Sequence, residues 1–183
     1  MSRFFIAILP PPETQEYANG IKKYFADKYA SYRAQKSPPH ITLQPPFEWP
    51  DVSVSSLETS LETFASQQQL LPITLDGFAA FPPRVIYINV VKSQALLALQ
   101  ADLIKYTEKN LGIINQVEKT RPFIPHLTVA FRDLTEQNFR TAWPEFVQRQ
   151  FYYEYTAGHL TLLLHDGERW NVKSEFPFLP SVS

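Results

Sequence analysis

A pattern of proline, histidine, an aliphatic residue, threonine and a second aliphatic residue occurs twice in this chain. The first copy is PHITL at residues 39–43, and the second is PHLTV at residues 125–129. The histidines of the two copies, His40 and His126, are separated by close to half of the 183 residues. A duplicated β-α-β unit would place two such segments symmetrically on either side of a central groove. The repeat therefore predicts a protein with two similar halves.

Each copy of the repeat has the character of a short strand, and side chains alternate between the two faces of a strand. The histidine and threonine of a copy therefore share one face, while its aliphatic residues point into the core. Two such strands facing each other form a pocket with two imidazoles and two hydroxyls. The predicted catalytic residues are His40, Thr42, His126 and Thr128.

These side chains suit metal-free chemistry on a phosphodiester. A neutral imidazole can take a proton from an attacking water or hydroxyl, and an imidazolium can give one to the leaving oxygen. Because the ordinary histidine pKa is ~6.5, both forms are accessible near neutral pH. The threonine hydroxyls can donate hydrogen bonds to phosphate oxygens. Each proton-transferring group typically contributes ~10² to 10⁴ in rate.

Composition excludes several other classes of protein. A net charge of −1 provides no extended basic surface, so we expect no DNA partner and no tight binding of long nucleic acids. The chain has no cysteine, and its four histidines lack an H-E-x-x-H motif or a carboxylate cluster. We therefore expect no metal and no cofactor. The apolar run at residues 3–9 is too short to span a membrane, so a cytoplasmic monomer without membrane contact is expected.

Apolar periodicity and turn residues predict the order β-α-β-α-β-β-α-β-α-β-β, which is an α+β fold. Strands are predicted over residues 3–9, 40–44, 70–81, 84–91 and 125–131, and helices over residues 13–31, 55–69, 93–112 and 135–149. The remaining segment, residues 151–178, is predicted to form two strands joined at Asp166-Gly167.

Three local features refine this prediction. Pro45 and Pro46 are expected to close the second strand, because proline cannot donate to a strand ladder. Ser55 and Glu58 have the spacing of a capping box at the start of the second helix. The solvent face of the first helix is expected to carry Lys22, Lys23 and Lys28.

A third segment of similar sequence, HLTL at residues 159–162, lacks the preceding proline and follows Gly158. It belongs to the alternating run HLTLLLH, which predicts a half-exposed strand. We expect His159 and His165 to face solvent or to have local partners rather than to join the catalytic pair.

The paired H-x-T-x tetrads in an α+β chain of this length resemble the 2H phosphoesterase superfamily, in particular its 2′-5′ RNA ligase and cyclic phosphodiesterase branch. The opening FFIAILPPPE, the segment FAAFPPRVIYINV and the closing hairpin are also similar to that family. The resemblance implies a single bilobal domain over residues 1–183, with two pseudosymmetric β-sheet lobes and outer helices around a central cleft. It also implies that His126 is the base and His40 the acid in cyclic phosphate hydrolysis.

Arginine placement departs from the family pattern. Many members have an arginine shortly after the second tetrad, as in H-x-T-L-x-R, whereas HLTVAFR places Arg132 one position later. A shift by one residue reverses the face of a strand residue if the strand continues that far. Arg121 is a second candidate for binding the phosphate charge, and Arg84 can line the cleft or be solvated.

Phenylalanines near the motif segments are candidates for stacking on a nucleobase, with packing in the core as the alternative. These residues are Phe5, Phe47, Phe81 and Phe123.

The predicted function is a phosphoesterase acting on a 2′,3′-cyclic phosphate or a related 2′-5′ phosphodiester, with 2′-5′ RNA ligation as a further activity. The expected substrate is a small cyclic nucleotide or an RNA end. The alternative is a non-catalytic RNA- or nucleotide-binding module that retains the cleft.

Overall fold

The computed structural model describes residues 1–117 and 119–179 of the chain. The strands in these ranges are β1 (Ser2–Ile8), β2 (Ile41–Trp49), β3 (Leu71–Phe81), β4 (Val85–Val90), β5 (His126–Ala130), β6 (Tyr152–Ala157), β7 (His159–His165) and β8 (Trp170–Pro177). The α-helices are α1 (Pro12–Tyr29), α2 (Val54–Ala65), α3 (Gln94–Leu111) and α4 (Glu136–Val147). Short 3-10 helices at Arg33–Lys36 and Asp51–Ser53 precede β2 and α2, respectively.

The described strands form two four-stranded sheets in which every neighbouring pair is antiparallel. The first sheet has the order β2-β1-β7-β8, and the second has the order β5-β4-β3-β6. Helix α2 contacts β8 of the first sheet, and α1 and α4 contact strands of the second. Helix α3 contacts β2 of the first sheet and β3 of the second. The predicted α+β fold is confirmed. Strands β2 and β5, which carry the two tetrads, are both edge strands.

The continuous apolar run at the start of the chain forms β1 because this strand is buried on both faces. Phe4, Ile6 and Ile8 point into the main core, whereas Phe5 and Ala7 form a second small cluster with Leu163 on the opposite face. A strand covered on both sides has no polar face, which explains why its sequence does not alternate.

The segment predicted as two strands over residues 151–178 contains three. The prediction was wrong because β6 ends at Ala157 and β7 begins at His159, on either side of Gly158. Strand β6 pairs with β3 in the second sheet, whereas β7 pairs with β1 in the first. The chain therefore crosses from one sheet to the other at this glycine.

Strand β2 does not end at Pro45 and Pro46 but continues to Trp49. As an edge strand it has one side without a partner strand, where a missing backbone N–H costs no ladder hydrogen bond. Its pairing with β1 shifts in register around Ile6, so the strand passes the prolines irregularly. The predicted end at residue 44 was therefore wrong.

The predicted capping box at the start of α2 is also wrong. The helix begins at Val54, and its N-cap residue Ser53 makes no side-chain capping hydrogen bond. The carboxylate of Glu58 instead accepts hydrogen bonds from Lys173 and Ser174 of β8. A tertiary contact has replaced the local one that the sequence spacing suggested. None of the helices in the described ranges is long and apolar enough to cross a membrane.

Candidate active site

The two tetrad histidines have the same hydrogen-bond geometry. His40 Nδ1 lies 2.7 Å from the carbonyl oxygen of Pro38, and His126 Nδ1 lies 2.7 Å from the carbonyl oxygen of Ile124. A carbonyl oxygen can only accept, so Nδ1 of each ring carries the proton and donates it. Each neutral ring therefore keeps Nε2 as the atom that can exchange a proton with a ligand.

The two tetrads come together because the edge strands β2 and β5 contact each other across the two sheets. Thr42 lies opposite Ala7 in the pairing of β1 with β2, and Thr128 lies opposite Tyr87 in the pairing of β4 with β5. Both threonines are half-buried. The charge of His126 also acts on His40, which places the two rings within electrostatic range.

A cavity of about 540 Å³ opens beside this junction. Tetrad residues Thr42 and His126 line it, whereas His40 and Thr128 do not. Its other lining residues are Leu43, Pro45, Phe81, Gln100, Asn115, Val117, Arg121, Pro122, Phe123, Ile124, Phe131 and Arg132. The walls are mainly apolar and aromatic with a few polar groups, which is typical of a site for a small organic ligand.

His40 lies against the first sheet in a poorly solvated position. Its ring is 4.8 Å from the ring of Phe5, which in turn meets Trp170 edge-on at 4.7 Å. Burial lowers the pKa of His40 from 6.5 to about 4, and the positive charges of Lys22 and His126 act in the same direction. The hydrogen bond to Pro38 opposes the shift but is outweighed.

His126 is supported by aromatic rings of the second sheet. Phe81 meets it edge-on with ring centroids 5.1 Å apart, and the ring of Tyr87 lies 5.3 Å away. Burial lowers the pKa of His126, while its hydrogen bond to Ile124 opposes that shift. Both rings are therefore mostly neutral at pH 7 when no anion is bound.

Two of the three candidate arginines line the cavity. Strand β5 ends at Ala130, and Arg132 adopts a left-handed backbone conformation with φ 57°. Because the strand has already ended, strand alternation does not decide the side on which Arg132 lies, and the residue reaches the cavity. Arg121 lines it as well, whereas Arg84 is exposed at the β3–β4 turn and does not.

The candidate phenylalanines occupy different environments. Phe123 and Phe81 line the cavity, and the ring of Phe5 packs against the ring of His40. Phe47 stacks on Phe4 at a centroid distance of 6.1 Å and does not line the cavity. Packing therefore accounts for Phe47, whereas Phe123 forms part of the cavity wall.

The third tetrad-like segment has its own local partners. His159 Nε2 lies 3.5 Å from a carboxylate oxygen of Glu175, and His165 Nδ1 accepts a hydrogen bond from the backbone N–H of Gly167. Thr161 is fully buried, and its hydroxyl has no hydrogen-bond partner. Among the described residues, no group of three His, Asp or Glu side chains is arranged to hold a metal ion.

Lys22 is the functional candidate that sequence analysis placed incorrectly. It was expected on the solvent face of α1 with Lys23 and Lys28, but its relative exposure is only 2%. Its ammonium donates a 2.8 Å hydrogen bond to the carbonyl oxygen of Ser37. The signal was present, because Lys22 falls within the helical stripe of buried residues Ala18, Ile21, Phe25, Ala26 and Tyr29. Lys23 and Lys28 are exposed as predicted.

Paired histidine–threonine strands at the junction of two sheets define a two-lobed α+β protein with a cleft suited to acid–base chemistry. The chain belongs to the 2′-5′ RNA ligase superfamily, whose family model matches residues 10–169. The resemblance noted from the sequence is thereby confirmed.

Curated relatives cover almost the whole chain. A Bacillus cytotoxicus protein that is named as a phosphoesterase is 32% identical over 174 residues, which are 93% of this chain and 94% of the relative. A Geobacillus protein with a similar name is 28% identical over 178 residues, or 95% of each chain.

Solved structures share the fold at lower sequence identity. The TT0787 protein of Thermus thermophilus superposes with a TM-score of 0.70 at 20% identity, covering 96% of this chain and 97% of its own. Escherichia coli LigT complexed with 3′-AMP superposes with a TM-score of 0.65 at 19% identity, covering 97% and 98% of the two chains.

Proposed function

We propose that this protein is a phosphoesterase that hydrolyses a 2′,3′-cyclic phosphate, or a related 2′-5′ phosphodiester, on a small nucleotide or an RNA end. The observation that carries the proposal is a matched pair of histidines: His40 immediately precedes edge strand β2, and His126 is the first residue of edge strand β5. Each histidine holds its Nδ1–H on a backbone carbonyl 2.7 Å away and keeps Nε2 for a ligand. A matched pair of this kind provides one proton acceptor and one proton donor.

The reaction needs two proton transfers. The neutral histidine removes a proton from water as the water oxygen attacks phosphorus. The protonated histidine gives its proton to the departing ribose oxygen as the phosphorus–oxygen bond of the ring breaks. The product is a phosphomonoester with a free ribose hydroxyl, and the proton taken from water replaces the one that was given away.

Groups around the histidines complete the proposed site. The hydroxyls of Thr42 and Thr128 share the strand faces of the histidines and can donate to the phosphoryl oxygens. Arg121 and Arg132 supply positive charge for the anionic substrate, and Phe123 offers an apolar face for a base. The phosphoesterase names of the curated relatives agree with this assignment.

A nucleotide is the proposed ligand because related structures hold nucleotides. LigT has been crystallised with 3′-AMP, NADP⁺ and ATP. The cavity of about 540 Å³ in this chain has room for a ligand of this class. Ligation of a ribose 5′-hydroxyl to a 2′,3′-cyclic phosphate uses the same proton transfers with a different attacking oxygen, so 2′-5′ RNA ligation belongs to the proposal as a second activity.

The test is to incubate the purified protein with 2′,3′-cyclic mononucleotides and cyclic-ended oligonucleotides and to identify products by phosphorus NMR. His40→Ala and His126→Ala should each lower kcat by about 10² to 10⁴ while the protein stays folded. His159→Ala removes a histidine from the similar HLTL segment and should leave kcat unchanged. No turnover by folded wild-type protein on any of these substrates would contradict the proposal, and retained nucleotide binding in that case would identify a non-catalytic binding module.

A further inference from the structure

A second cavity, of about 680 Å³, lies beside the groups that hold His40 in place. Its walls come from α1, from the 3-10 helix Arg33–Lys36 with the residues after it, and from the start of β8. Pro38, which accepts the hydrogen bond from His40 Nδ1, is one of its lining residues. Trp170 is another, and it meets Phe5, whose ring packs against that of His40. Only one aromatic ring therefore separates this cavity from the imidazole.

The walls of the second cavity carry positive charge. Lys23 and Arg169 line it, and none of the described residues that line it is acidic. The guanidinium of Arg3 adds a third positive charge 5.5 Å from the centroid of the Trp170 ring. The cavity is therefore suited to an anionic ligand.

The two lining cations have charge to offer a ligand. The guanidinium of Arg169 donates a 3.1 Å hydrogen bond to the backbone carbonyl of Gln35, which is neutral, so its charge is not compensated there. The other N–H groups of this side chain can donate to a ligand. Lys23 pairs with Asp27, but both side chains are more than 60% exposed, and exposed ion pairs contribute little. Lys23 can therefore turn from Asp27 to a phosphate.

Trp170 is the aromatic residue of this wall, and it is half-buried at the start of β8. Every nucleobase has a π-face, so an indole ring can stack any base regardless of sequence. The amides of Asn19 and Asn171 lie in the same wall and can bind polar groups of a base or ribose. An aromatic ring beside cations and amides is typical of a site for a single-stranded nucleic acid.

We propose that the second cavity binds the nucleotide that precedes the reacting end of an RNA chain, with its base on Trp170 and its phosphate between Lys23 and Arg169. The inference rests on the proposed function, because it takes the cyclic end of the chain to lie at the two histidines. It selects an RNA end rather than a mononucleotide as the better substrate. The chain is RNA because a 2′,3′-cyclic phosphate requires a ribose.

The kinetic test compares an RNA trinucleotide that ends in a 2′,3′-cyclic phosphate with the corresponding cyclic mononucleotide. In the wild type, kcat/KM should be about tenfold higher for the trinucleotide, because a stacked base contributes a factor of this size. Trp170→Leu and Arg169→Gln should each lower the ratio of the two kcat/KM values by about tenfold. If Trp170→Leu does not fold, Arg169→Gln decides the matter, since Arg169 is exposed.

Matched controls come from α4. Trp143 is a half-buried tryptophan that stacks on Phe139, and Arg140 is an exposed arginine that pairs with Glu136. Trp143→Leu and Arg140→Gln should leave the ratio of the two kcat/KM values unchanged. Equal kcat/KM values for the two substrates in the wild type would overturn the proposal, as would an unchanged ratio in Trp170→Leu and Arg169→Gln.

A binding measurement separates this proposal from the proposed function. The probe is a fluorescein-labelled RNA trinucleotide with a 2′-O-methyl group and a 3′-phosphate at its end, which cannot be turned over, and 3′-AMP is the competitor. By fluorescence anisotropy, the probe should bind about tenfold more tightly than 3′-AMP, and Arg169→Gln should remove this advantage. This pattern without turnover of any cyclic phosphate would reject the proposed function alone. Turnover by a protein that binds the probe no more tightly than 3′-AMP would reject the second cavity alone.

Discussion

The ring of Phe81 meets the ring of His126 edge-on, with an interplanar angle of 85° and centroids 5.1 Å apart. This contact covers the imidazole on the side of the second sheet. Burial is the main cause of the lowered pKa of His126. Phe81→Ala should therefore expose the imidazole and raise its pKa toward the ordinary value, as measured by NMR titration. Phe47→Ala, which removes a ring outside the cavity, should leave the pKa of His126 unchanged.

Thr42 and Thr161 provide a matched pair of hydroxyl deletions in the first sheet. If the Thr42 hydroxyl donates to an anionic phosphoryl oxygen, Thr42→Val should lower kcat/KM by about 10- to 100-fold. Thr161 has a buried hydroxyl without a partner, so Thr161→Val should keep the activity and raise the free energy of unfolding by about 1 kcal/mol. Equal losses of activity in the two variants would argue against a specific role for Thr42.

The arginines differ in their access to the cavity. Arg132→Ala and Arg121→Ala should each raise KM for a nucleotide substrate by about tenfold, because each removes a positive charge from the cavity wall. Arg84→Ala should change KM less than twofold on the same scale, since Arg84 lies outside the cavity. Steady-state kinetics at fixed ionic strength make the comparison. A large effect at Arg84 alone would show that the substrate binds elsewhere.

The lowered pKa of His40 makes the fold sensitive to acid. The unfolded chain binds a proton at His40 near pH 6.5, whereas the folded protein does so only near pH 4. Stability from this group is complete above pH 6.5 and is lost as the pH falls toward 4, by up to roughly 3 kcal/mol. Urea denaturation between pH 7 and 4 should show a shallower decline in His40→Gln than in the wild type, and His159→Gln should follow the wild type.

Lys22 should make the free energy of unfolding depend on pH in the neutral to alkaline range. Burial lowers its pKa from 10.5 to about 7, so the folded state carries a penalty below pH 7 that fades as the pH rises toward 10.5. Lys22→Met should therefore raise the free energy of unfolding by a few kcal/mol at pH 6, less the cost of an unpaired Ser37 carbonyl. The gain should shrink by more than half at pH 9.5. A gain that does not depend on pH would show that the pKa of Lys22 is not lowered in the folded protein.

The strands of the two tetrads were predictable because short-range alternation in the sequence is enough to specify them. Alternation within PHITL and PHLTV puts each histidine beside its threonine, and β5 has this alternation of buried and partly exposed residues. The α+β order followed equally well from apolar periodicity. The sequence did not predict the break between β6 and β7 at Gly158, because the residues on both sides of this glycine favour strands. The two segments differ only in the sheet to which each belongs.

The position of Lys22 shows a different limit of prediction from sequence. A lone lysine within an apolar helical stripe is usually assigned to the surface, since burial of an unpaired charge is unfavourable. Its actual position depends on the carbonyl of Ser37, fifteen residues away, which helical periodicity does not detect. The position of Arg132 likewise depends on where β5 ends, and no residue pattern near Arg132 predicts its left-handed backbone conformation.

The position of β1 between β2 and β7 has a consequence for biosynthesis. Strand β1 leaves the ribosome well before its neighbour β7, which ends at His165. The N-terminal half therefore cannot complete its own sheet during translation, and its apolar face stays uncovered until β7 arrives. A chain truncated after β6 should be prone to aggregation, because its first sheet would lack both β7 and β8.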